Sequence, residues 1–350
     1  MYKRIIIKVG TKILSTENGQ LDIVVLKHLV SQLVFLKNRN IQIILVTSGA
    51  VGAGRSLIKS KGGGPTEKQV LAAVGQVKLM SIYSDLFAKH HQLCAQVLAT
   101  KEDFRDKVHY LNMRTCFESL LGSDVIPIVN ENDVVATTEL LFTDNDELAG
   151  LVAAQLNADA VIILTSVEGL LGENSKVVPE IDFKNVGVYQ KYILPEKTTF
   201  GRGGMLTKFN VAKKLASQGI VVHLANGKKS NILTDIVEGK RVGTKFLPHG
   251  KTSAIKRRLA HSEGLTKGTV RINQCAEDLL LSKIKVMSLL PIGVIGIKGD
   301  FNKGDIVEIT GEKGQKIGFG LAEYNGQRAR ELMGVKKARP IIHYKHMFIG

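Results

Sequence analysis

Over its first 250 residues the chain alternates short β-branched runs with stretches of helical periodicity, a pattern that few folds can accommodate. Parallel strands need a crossover to bring the chain back, and a helix lying on the sheet supplies it while burying its own apolar stripe. Strands are predicted over 4–9, 41–47, 93–98, 125–129, 160–164 and 220–224. Between the first two, Asp22 is placed to cap a helix in which Leu26, Leu29, Val30, Leu33 and Val34 recur at helical spacing. Further helices are predicted over 67–90, 110–121, 146–156 and 206–218. The expected class is α/β: an open, mainly parallel sheet flanked by helices.

After about residue 265 the pattern changes to short β-rich pieces at 268–273, 293–297, 305–310 and 316–322, separated by glycine turns. The expected organisation is an α/β domain over 1–250, a linker over 251–265 containing Lys256, Arg257 and Arg258, and a small β-rich domain over 266–350. Charge follows this division. Residues 251–350 hold 18 lysines and arginines against 9 aspartates and glutamates, so +9 of the net +16 lies there. Such an excess suits either a nucleic acid or small acidic substrates. The widely spaced Cys94, Cys116 and Cys275 form neither a zinc knuckle nor a disulfide framework. The apolar run at 5–7 is too short for a signal peptide, and runs such as 160–164 are far below a membrane span. A soluble cytoplasmic protein without membrane partners is expected.

In open α/β sheets ligands bind beyond the carboxyl ends of the strands, and four places there carry chemistry. Lys8-Val9-Gly10-Thr11 sets a lysine at a strand end before a glycine turn, where it can neutralise phosphate oxygens. Thr47 to Gly54 is a glycine-rich strand-to-helix turn, suited to an anion or simply to tight packing. Asn130-Glu131-Asn132-Asp133 and Thr143-Asp144-Asn145-Asp146 crowd carboxyl and carboxamide groups at one strand end, an arrangement that needs binding partners. They could grasp an amino group, orient lysines or hold Mg²⁺ through water. Gly201-Arg202-Gly203-Gly204-Met205-Leu206-Thr207-Lys208 is a glycine loop entering a helix, able to wrap triphosphate oxygens while Lys208 supplies positive charge. No Walker A sequence is present.

Together with Leu71-Ala72-Ala73-Val74-Gly75-Gln76, these segments occur in the order found in the amino-acid kinase family. The chain resembles that family over essentially its whole length, and the Asn-Glu-Asn-Asp and Asp-Asn-Asp segments resemble the branch acting on glutamate. The C-terminal part, with Gly304-Asp305 and Gly318 to Asn325, is similar to a PUA domain. The resemblance implies transfer of phosphate from ATP, with Mg²⁺, to the side-chain carboxylate of L-glutamate, the first step of proline synthesis. It implies that Lys8 and Lys208 neutralise the phosphoryl group in flight while Asp146 holds both lysines. Ser48, Asp133 and Asn145 would bind glutamate. Lys8, Thr165, Ser166 and the loop of Arg202, Gly203, Gly204, Met205, Leu206, Thr207 and Lys208 would bind the nucleotide, and no residue is expected to ligate a metal directly.

The family usually has Leu-Thr-Asp and Gly-Leu-Tyr-Thr at the nucleotide strand, where this chain has Leu164-Thr165-Ser166 and Gly169-Leu170-Leu171-Gly172. Thr143 and Ala149 also depart from the common glycine and serine. Altered nucleotide affinity with retained activity is the expectation. Proline as a feedback inhibitor is implied, a homo-oligomer is expected, and two rivals stand: a sibling kinase with another substrate, and an RNA-binding protein acting through the basic C-terminal end. Against the second, that end lacks the dense aromatic and basic interleaving that stacks bases.

Overall fold

The computed structural model describes residues 2–58, 64–135, 142, 144–193, 204–250, 253–260, 262–282 and 287–349. The chain divides into two compact units, Met1–Thr100 with Arg114–Lys251, and Lys101–Met113 with Thr252–Gly350. The first unit contains β1 (Arg4–Val9), β2 (Gln42–Val46), β3 (Cys94–Ala99), β4 (Ile126–Glu131), β5 (Ala160–Thr165), β6 (Glu180–Asp182), β7 (Val221–Asn226) and β8 (Thr244–Leu247). They build one sheet in the order β3-β4-β2-β1-β5-β7-β8-β6, parallel throughout except between β7 and β8. All six expected strands are present with slightly shifted ends. The two additions, β6 and β8, are three and four residues long, too short for an alternating pattern to stand out.

β4 and β5 are buried at every residue, as strands covered on both faces should be, even though β4 ends in the polar Asn130 and Glu131. From β1 the chain steps to β2 on one side and returns to β5 on the other, so the strand order reverses at β1. A crevice opens beyond the carboxyl ends of strands at such a reversal. Val9 pairs with Leu164 there, placing the ends of β1 and β5 side by side.

The helix Ile23–Lys37 forms as its pattern requires: Asp22 Oδ1 accepts from the backbone N–H groups of Val24 and Val25 at 3.0 and 3.1 Å, and Leu26, Leu29, Val30 and Leu33 enter the core. Helix Pro65–Ala88 is long and apolar enough, by length and composition, to cross a membrane. Here it buries Leu71, Leu79, Tyr83 and Phe87 within the fold. The individual apolar runs judged in the sequence are short because Lys68, Lys78 and Asp85 interrupt them. This helix touches the short helix Ala50–Arg55 backbone to backbone. A Cβ on Gly75 would stand 1.8 Å from the Ala50 carbonyl oxygen, and one on Gly54 2.0 Å from that of Leu71. Much of the glycine-rich turn at 47–54 therefore serves close packing.

The second unit forms a five-stranded sheet from β9 (Gly268–Ile272), β10 (Val294–Gly299), β11 (Ile306–Thr310), β12 (Lys316–Leu321) and β13 (Met347–Ile349), ordered β10-β9-β11-β12-β13. Val270, Ile272, Val307, Ile309, Ile341 and Ile342 belong to its core. Part of the expected linker is the helix Ala254–Ala260, whose fully buried Leu259 packs with Ile306 and Phe319. Residues 101–113, expected in the first domain, belong to this unit as well. Arg258 stacks over the Tyr110 ring at 4.2 Å, and Lys267 Nζ lies 3.3 Å from Asp106 and 3.6 Å from Asp305.

Replacing glycine by alanine at an ordinary helix position stabilises by ~1 kcal/mol. At Gly75 the overlap with Ala50 reverses the sign, so Gly75→Ala is expected to destabilise by roughly 3 kcal/mol, read as a lower urea midpoint. A raised or unchanged midpoint would contradict the close contact. On β7, His223 is 5% exposed with Nε2 2.8 Å from the Tyr2 hydroxyl, and burial together with the charge of Lys245 lowers its pKa to about 4. As pH falls below about 6.5 the unfolded chain takes up this proton first, so the histidine's contribution is full above that pH and drains away towards pH 4. The expected loss is roughly 3 kcal/mol across that window, and His223→Gln should remove that part of the slope.

Candidate active site

Lys8 is the fifth residue of β1, paired in register with Val46 on one side and Ile163 on the other. Its ammonium lies beside the helix Asn145–Gln155, which begins where Asp144 Oδ1 accepts from the backbone N–H groups of Asp146 and Glu147 at 2.9 and 3.1 Å. That cap fixes Asp146 in the first helical turn, fully buried. Lys8 Nζ lies 2.6 Å from Asp146 Oδ1, and Lys208 Nζ, from the first turn of helix Met205–Ser217, lies 3.0 Å from Asp146 Oδ2. Both lysines are themselves more than nine-tenths buried.

One carboxylate thus holds two ammonium groups. Burial opposes ionisation of Asp146, but the charges and hydrogen bonds of Lys8 and Lys208 outweigh it and keep its pKa below the usual carboxylate value. Asp144 behaves in the opposite way: burial first, and the charge of Asp146 second, push its pKa up. Lys8, Lys208 and Asp146 together carry one net positive charge out of water. Such a cluster attracts an anion. Asp144 Oδ2 is also buried without a hydrogen-bond partner among the described residues.

Beside this cluster runs a chain of neutral polar groups. Asn145 Nδ2 donates to the Thr47 carbonyl at 2.7 Å, to Ser48 Oγ at 2.8 Å and to Asn130 Oδ1 at 3.1 Å. Asn130 Nδ2 in turn donates to Gln76 Oε1 at 2.9 Å. Thr47 Oγ1 is 2.9 Å from the buried Tyr83 hydroxyl, and Gly49 turns the chain after Ser48 with φ of +107°. Asp133 is held by Lys68 Nζ at 2.9 Å, and Gln69 Nε2 donates to the Val134 carbonyl at 3.0 Å. Neither Lys68 nor Gln76 stands out in the sequence as a site residue. Gln76 sits in a recognisable motif, whereas only the fold brings Lys68 to Asp133.

Thr165 ends β5, next to β1, with its carbonyl accepting from the Gly227 N–H at 2.9 Å. Ser166 is exposed. Gly169 and Leu170 are tied to β8, the Leu170 N–H donating to Thr244 Oγ1 at 2.8 Å. Gly204 caps helix Met205–Ser217, with Met205 half-buried, Leu206 exposed and Thr207 Oγ1 donating to the Gly204 carbonyl at 2.9 Å. Arg202, Gly203 and Thr143 lie outside the described residues. The structure therefore brings Lys8, Asp146 and Lys208 into direct contact and links Ser48 to Asn145. Asp133 pairs with Lys68.

Residues 3–226 match the amino acid kinase family, and residues 268–344 match the PUA domain. The glutamate 5-kinase of Chlorobaculum tepidum is 50% identical over 356 residues, covering 100% of this chain and 98% of its own. That of Bacteroides thetaiotaomicron is 43% identical, covering 99% of each. Among solved structures, the carbamate kinase of Giardia lamblia bound to AMP-PNP superposes with a TM-score of 0.52 at 18% identity, over 71% of this chain and 99% of its own, a likeness of fold. With its first unit built as an amino acid kinase and its C-terminal part as a PUA domain, the chain belongs to the glutamate 5-kinases of the amino acid kinase family.

Proposed function

We propose that the Lys8, Asp146 and Lys208 cluster transfers the γ-phosphoryl group of ATP to the side-chain carboxylate of L-glutamate. The products are ADP and L-glutamyl 5-phosphate, the first step of proline biosynthesis. The observation that carries this reading is the pair of buried ammonium groups on a single carboxylate at the strand-order reversal. A carboxylate is already a nucleophile at neutral pH, so the enzyme needs no strong general base. It needs alignment and positive charge where the moving PO₃ group shares its charge with both oxygens. Lys8 and Lys208 supply that charge, and Asp146 keeps them converged.

For glutamate, Ser48 accepts a hydrogen bond from Asn145 and so keeps its own hydroxyl hydrogen free for a substrate carboxylate. Asp133 meets the substrate ammonium, in exchange for part of its contact with Lys68. On the nucleotide side we assign Thr165, Ser166 and the segment Arg202, Gly203, Gly204, Met205, Leu206, Thr207 and Lys208. Mg²⁺ would neutralise phosphate oxygens of the nucleotide. Among the described residues no group of three or more His, Cys, Asp or Glu side chains forms a metal cage. Such a cation would be held mainly by phosphates and water.

We place the enzyme in the cytoplasm, where the free Cys94, Cys116 and Cys275 stay reduced. Inhibition by proline and assembly into a homo-oligomer accompany this reading. The catalytic machinery falls within residues 1–250, leaving the PUA-like end over 266–350 outside the chemistry.

The test is coupled ADP release with glutamate, acetylglutamate, aspartate, carbamate and UMP as acceptors. Turnover is expected with glutamate, and its absence would overturn the assignment. In the same assay Lys208→Ala should lower kcat by about 10²- to 10⁴-fold while the glutamate KM moves less than about threefold, because the lost charge matters most in the transition state. An unchanged kcat would remove Lys208 from phosphoryl transfer.

A further inference from the structure

Gln76 carries a buried hydrogen-bond donor with nothing to donate to: its Nε2 has no hydrogen-bond partner among the described residues. A buried donor left unpaired costs on the order of 1–3 kcal/mol, so an orphan inside a polar network calls for a ligand.

The direction of that network is fixed by a group that cannot reverse. The backbone N–H of Glu131 is a donor only, and it lies 3.0 Å from Asn130 Oδ1. Asn130 must therefore turn its oxygen towards Glu131, where Asn145 Nδ2 also donates to it. Its Nδ2 then faces Gln76 and donates to Oε1 at 2.9 Å. With Oε1 committed, Nε2 is the free end of the Gln76 amide.

This free end belongs to the same hydrogen-bonded chain as Asn145 and Ser48, which hold the amino-acid substrate in the function proposed above. The helix that carries Gln76 also sends Lys68 to Asp133. The acceptor that completes the chain should thus come from the amino acid. Resting on that function, we infer that Gln76 Nε2 donates a hydrogen bond to a carboxylate oxygen of bound glutamate, making Gln76 a specificity-determining residue of the acceptor site. Asn130 acts behind it as a positioning residue, holding the amide so that its donor faces the substrate.

The experiment is steady-state kinetics of Gln76→Glu in the full chain, with wild type alongside. The substitution keeps an oxygen to accept from Asn130 and replaces the donor by an anionic acceptor. At about pH 8 the glutamate KM should rise about 10- to 100-fold, with the ATP KM within about threefold of wild type, as expected for a lost charge-assisted hydrogen bond. Towards about pH 6 the defect should shrink, because burial beside a substrate carboxylate raises the pKa of a carboxyl at position 76 and its protonated form donates again. A merely structural Gln76 would tolerate this substitution, since the link to Asn130 survives. A glutamate KM within about threefold of wild type at both pH values overturns the inference, as does a defect equal for ATP and glutamate or one unrelieved at the lower pH. If Gln76→Glu does not fold, the apolar and similarly shaped Gln76→Met carries the test: a raised glutamate KM with unmoved ATP KM supports the contact, and an unmoved glutamate KM overturns it. Wild-type turnover without glutamate dependence would bring down the function itself and this contact with it.

Discussion

A single buried carboxylate ties together distant segments of the first unit. Asp146 sits out of water with one ammonium group on each oxygen, one from the first strand of the sheet and one from a helix far along the chain. Removing one partner from a buried ion pair typically costs ~3–5 kcal/mol, which gives the arrangement a strong preference for remaining intact. The rest of the first unit positions it. The strand-order reversal brings the end of β1 to an open rim, the Asp144 cap fixes the first turn of the central helix, and Gly204 starts the helix that carries Lys208.

Charge and neutral polarity divide the labour at that rim. The lysine pair concentrates positive charge on Asp146, and the Asn145, Asn130 and Gln76 amides form a hydrogen-bonded frame beside it. Helix Pro65–Ala88 brings Gln76 to Asn130 on β4, and Gly75 and Gly54 let the same helix meet helix Ala50–Arg55 backbone to backbone.

Much of this was legible in the sequence because it rests on local rules. β1 to β5 and β7 announce themselves as apolar runs, and Asp22 and its helix follow from capping and period. Lys8, Asp146 and Lys208 were recognisable through motif resemblance; their convergence is a property of the fold, which no local spacing encodes. Lys68 gave no signal, since a lysine in a helix's first turn is ordinarily solvated and only the tertiary structure sets it at Asp133. The helix Ala254–Ala260 was hidden in a basic stretch because one apolar residue, Leu259, anchors it to the second unit. β6, β8 and β13 are strands by virtue of their neighbours, and at three or four residues they have too little pattern of their own. Residues 101–113 join the second unit through contacts such as Arg258 on Tyr110, which lie far apart in sequence.

The most direct test of the central claim is a crystal structure of the enzyme with glutamate and a non-hydrolysable ATP analogue. Terminal phosphate oxygens are expected within about 3 Å of both the Lys8 and Lys208 ammonium groups, with Asp146 still bridging them. A terminal phosphate bound elsewhere on the rim, touching neither lysine, would contradict it.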